Sequence, residues 1–78
     1  MGLNEAFGVT IRKLRIKKGL TQEQLGFEAD LRRTFISSLE LGQKQPSIQT
    51  IFKLSKVFDL SMSKLMNLVE NENKNSKV

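Results

Sequence analysis

Apolar residues recur along this chain at spacings of three and four, broken by polar stretches, and that rhythm predicts helices. Leu3, Phe7, Ile11 and Leu14 make one face of a first helix, expected to end near Lys18 with Gly19 as its stop. Lys17 and Lys18 suit the negative end of its dipole. Val9 and Ile16 lie a heptad apart on the opposite face, either as isolated exposed residues or as a minor contact seam with a partner. Leu20 is expected to fold inward between the first and second helices.

From Thr21 to Gly42 the pattern predicts two short helices and a tight turn. Thr21 can cap the first, and Gln24, three residues later, can complete a capping box. Leu25 and Ala29 share a face. Asp30 tolerates a turn backbone, and Leu31 can plug the corner from inside. In the second helix of the pair Ile36 and Leu39 point one way. Arg33, Thr34, Ser37 and Ser38 point the other; all are hydrogen-bond donors and none is an acid. Gly42 stops the helix. A short helix pair with a small, donor-rich exposed face suits the DNA major groove.

Gln43 to Gln45 read as a polar loop, with Pro46 opposing helix at Gln45. Ser47 caps a fourth helix whose apolar side is Ile48, Ile51, Phe52, Ser55 and Phe58, widened by Leu54 and Val57. The Ser55 hydroxyl can bond back to the Ile51 carbonyl. Ser61 caps a fifth helix lined by Met62, Leu65, Met66 and Val69, with Leu68 extending the stripe. The core absorbs all of that stripe, or Leu65, Met66 and Val69 meet a two-fold mate; symmetric dimers favour the second reading. Residues 1–70 are expected to form the domain, and the polar residues 71–78 a flexible tail.

Composition narrows the class. Seventy-eight residues allow one small domain, whose core alone gives marginal stability, so dimerisation would help. Without Cys or His there is no disulfide, thiol nucleophile, catalytic triad or imidazole metal ligand. The eight acids show no metal-like cluster, so no cofactor or metal is expected and an enzyme is disfavoured. No apolar run nears the ~20 residues of a membrane span, and a cytoplasmic location fits. Net charge is +5 and pI about 9.9, which favours an anionic partner.

The spaced positions Thr21-Gln22, Leu25, Ile36-Ser37, Leu39-Glu40, Gly42 and Pro46-Ser47 together resemble the phage-repressor and Cro-like (Xre-type) helix-turn-helix family. The run Arg33-Thr34-Phe35-Ile36-Ser37 is similar to restriction-modification controller proteins. The resemblance implies an all-α, five-helix, lambda-repressor-like fold. It implies that Arg15 pairs with Glu40 under the turn, where the alternative is two solvated charges. It also implies that Gln22 anchors the DNA backbone and braces the recognition helix. Arg33 and Thr34 open that helix, whose first residues reach base edges, and Arg33 suits a bidentate bond to guanine. Ser38, a turn later, is the third base-contact candidate. Arg32, Phe35, Ser37, Gln43 and Lys44 are candidates for the DNA backbone. Phe35 stands where controllers often carry Tyr, and Gln43 and Lys44 read equally as an ordinary wet loop. The expected function is a transcription regulator binding a double-stranded operator as a homodimer. The alternative is an antitoxin or protein-interaction module with a protein partner.

Overall fold

Gly2, Thr21, Arg32 and Ser47 all take an extended backbone immediately before a helix, so each helix in the first four begins at a sharp, defined residue. The computed structural model describes residues 1–75. Among these the elements are α1 (Leu3–Lys17), α2 (Gln22–Ala29), α3 (Arg33–Glu40), α4 (Ile48–Val57) and α5 (Met62–Asn75), with no strand.

Side-chain caps set three of the starts. The Thr21 hydroxyl accepts from Gln24 N at 3.0 Å while Gln24 Oε1 accepts from Thr21 N at 2.8 Å, satisfying free donors at both ends of the turn. Ser47 Oγ accepts from Thr50 N at 3.1 Å, and Ser61 Oγ from Lys64 N at 3.0 Å. Left-handed residues set four of the stops: Gly19 and Gly42 at φ +75°, and Asp30 and Asp59 at φ 56°.

The core draws on every helix: Phe7 and Ile11 from α1, Leu25 and Ala29 from α2, Ile36 and Leu39 from α3, Leu54 from α4, Leu65 and Val69 from α5. Leu14, Leu20, Leu31, Phe58 and Leu60 close around it. α1 crosses α3 on one flank and packs along α5 on another. The crossing with α3 is close because Gly8 has no side chain: a Cβ there would sit 2.3 Å from the Leu39 carbonyl oxygen and 2.7 Å from that of Glu40.

Several sequence expectations are corrected. Leu3 is 57% exposed, so the inward stripe of α1 starts at Ala6 and Phe7. Ser55 is buried, but its hydroxyl donates to the Phe52 carbonyl at 2.8 Å rather than to that of Ile51. On α4 the core takes Thr50, Leu54 and Ser55, leaving Ile48 72% and Phe52 49% exposed. Leu65 and Val69 are completely buried within the single chain, because α5 lies along α1; neither can meet a two-fold mate. Met66 stays half-exposed. α5 also runs past the boundary expected at residue 70, and Glu72 Oε1 meets Lys13 Nζ of α1 at 2.8 Å. The part of the expected tail from 76 to 78 lies outside the described residues.

Candidate nucleic-acid interface

α2 and α3 hold the geometry of the site between them. Asp30 turns the chain left-handed at the end of α2, and Leu31 N donates to Gly26 O at 2.8 Å, folding the link back on the helix. A Cβ on Gly26 would sit 2.6 Å from the Leu31 carbonyl oxygen, so the turn closes only over a bare position. Lys53 of α4 reaches across and donates to the Asp30 carbonyl at 3.4 Å.

α3 follows, seated by Ile36 and Leu39, both fully buried. Its far end is held by charge. Arg15 Nε donates to Glu40 Oε2 at 2.7 Å and Nη2 donates to Glu40 Oε1 at 3.1 Å, a forked contact. Arg15 Nη1 donates to the Leu20 carbonyl at 2.9 Å, so one guanidinium ties α1, the α1–α2 link and α3 together. Gln22 Nε2 donates to the same Glu40 Oε1 at 3.1 Å. Glu40 thus joins the end of α3 to the beginning of α2.

The remaining surface of α3 is what this frame presents. Arg33 and Thr34 are exposed in its first turn, which contains no acid. Arg32, just before them, is also exposed and supplies no side-chain cap. Ser37 and Ser38 are half-exposed a turn further on; Ser38 Oγ donates to the Thr34 carbonyl at 3.1 Å, leaving its lone pairs to accept. Phe35 is half-buried and packs against the core, and its ring carries no hydroxyl to donate to a phosphate. Gln43 and Lys44 are exposed beyond Gly42. Arg33 shares an open hollow with Arg15, Thr21, Gln22 and Glu23, which places the N-terminus of α2 beside the first turn of α3. Arg33 is the exposed guanidinium at that hollow, since Arg15 is committed to Glu40 and Leu20, and Glu23 also stands on its wall.

The pattern missed the Leu20 carbonyl as a partner of Arg15, and it gave no role to Gly8 and Gly26. Two small residues facing inward from amphipathic helices are the signal that could have found the close approaches. Among the described residues no group of acids could hold a metal ion, and no helix is long and apolar enough to cross a membrane.

A helix pair seated on the core and joined by a left-handed turn, with its second helix offering arginine and hydroxyl donors, is a DNA-binding helix-turn-helix. A helix-turn-helix family model matches residues 11–65, and the chain belongs to that family. It is similar to the control protein C.BamHI of Bacillus amyloliquefaciens, with 39% identity over 61 residues covering 77% of this chain and 75% of the relative. A crystal structure of a variant of the restriction-modification controller protein C.Esp1396I superposes with a TM-score of 0.88 at 27% identity, covering 99% of this chain and 98% of that one. That controller has also been crystallised as a tetramer in complex with its natural 35 base-pair operator; there the TM-score is 0.82 at 28% identity, over 92% of this chain and 95% of the other.

Proposed function

We propose that this chain is a sequence-specific transcription regulator of the restriction-modification controller type, binding a palindromic operator as a homodimer in the cytoplasm. The observation that carries the reading is the exposed Arg33-Thr34 pair on a helix locked in place by Arg15, Glu40 and Gln22. Arg33 and Thr34 read base edges, with Ser38 accepting a hydrogen bond a turn away. Gln22, Arg32, Ser37, Gln43 and Lys44 hold the phosphates on either side. The controller tetramer on its operator supports carrying the mode of binding over to this chain.

Self-association uses α4 rather than the buried stripe of α5. Ile48 and Phe52, four residues apart on one face, are exposed, and Met66 is half-exposed. Apolar side chains exposed together on one face suit a contact surface better than singly exposed ones such as Phe27.

Selection of genomic fragments by the purified protein, followed by footprinting, tests the reading. The expected result is a site with two related halves centred about 34–36 Å, or a multiple, apart. Enrichment without a shared sequence would overturn it.

A further inference from the structure

A second surface feature lies away from the recognition helix. The end of α1, the α4–α5 link and the outer flank of α5 border an open groove of about 480 Å³. Its floor is Leu14, Phe58, Leu60 and Leu68, and its rim is Lys17, Lys18 and Lys64. None of these residues belongs to the α3 edge or to the Ile48–Phe52 face. The acid at this rim is Asp59, 3.7 Å from Lys18. Among the described residues Lys17 and Lys64 have no ion-pair partner, and both are exposed. An apolar trough ringed by cations fits an anion with an apolar body. A docked helix, ~10–12 Å across, needs a longer trough than four side chains provide. A membrane surface needs a protruding apolar face, and this one is recessed.

We propose that this groove binds a medium-chain carboxylate, with the alkyl chain on the leucine–phenylalanine floor and the carboxylate among Lys17, Lys18 and Lys64. DNA can be bound at the same time, since the two surfaces share no side chain.

Calorimetric titration of the full chain with octanoate, below micelle-forming concentration, tests the site. Saturable binding of one molecule per chain is expected. Butyrate should bind more than about tenfold more weakly, because it lacks four methylenes. Octanol should also bind more weakly, because it lacks the charge. The paired substitution Lys17→Gln and Lys64→Gln, at exposed positions, should weaken octanoate binding while leaving the thermal transition in place. Equal binding of octanol, unchanged binding by the paired variant, or no saturable binding would each overturn the proposal. So would co-sedimentation with anionic phospholipid vesicles in the absence of octanoate binding, which would make the groove a membrane contact. Loss of operator binding with octanoate binding intact would count against the regulator reading alone.

Discussion

Arg15 and Glu40 form the most shielded ion pair among the described residues, with side chains 13% and 4% exposed. Removing one partner strands the other charge out of water. Arg15→Ala or Glu40→Ala should each cost about 3 kcal/mol or more in urea unfolding. Changing both together to Met and Leu should cost less than the two single losses added. A loss below about 1 kcal/mol for Glu40→Ala would mean that the pair behaves as a surface contact.

Gly8 offers a test in which the sign is informative. Alanine at an exposed helical glycine gains about 1 kcal/mol from propensity. At Gly8 the added methyl meets two backbone carbonyl oxygens, so Gly8→Ala should instead destabilise by about 1–3 kcal/mol in thermal melts.

Leu65 and Phe52 separate the core from the proposed association surface. Leu65→Ala should cost about 2–5 kcal/mol, since the side chain is fully buried. Phe52→Lys removes a half-exposed ring that lies 5.3 Å from the Lys56 ammonium, and should change monomer stability by only about 0.5 kcal/mol. In sedimentation equilibrium the Phe52 variant should shift toward monomer. An unchanged dimer would move the interface elsewhere.

On DNA, Arg33→Ala and Lys44→Ala should differ in kind. The first should lower operator affinity by about 1–3 kcal/mol and leave binding to unrelated duplex nearly intact. The second should weaken both and flatten the salt dependence by about one unit of slope. Equal losses on both duplexes for Arg33→Ala would remove its part in base reading.

What the residue pattern revealed was local. The caps at Thr21, Ser47 and Ser61 each need only a hydroxyl and an amide three residues on, so the sequence displays them directly. The inward positions of α2 and α3 were equally plain, because Leu25, Ala29, Ile36 and Leu39 stand out among polar neighbours. α4 was harder: its apolar residues cover more than one face, and only packing against α2 and α5 decides which face turns in. Thr50 goes inside because its hydroxyl pairs with Ser47 Oγ at 3.0 Å, while Ile48 and Phe52 remain outside. The length of α5 was hidden for a related reason. Its final turns are polar, and the Lys13–Glu72 contact that fastens them spans 59 positions of chain.

Besides the buried side chains and the Arg15–Glu40 pair, two bare places limit how α3 lies. At Gly26 and at Gly8 it is main chain, with no intervening side chain, that limits how near the neighbouring segments come. The pose of the reading edge therefore does not depend on which side chains that edge carries. With Arg33, Thr34 and Ser38 as the proposed reading residues, new letters can be written there without tilting the page, and a lineage with this architecture could change its target sequence by exchanging a few outward residues.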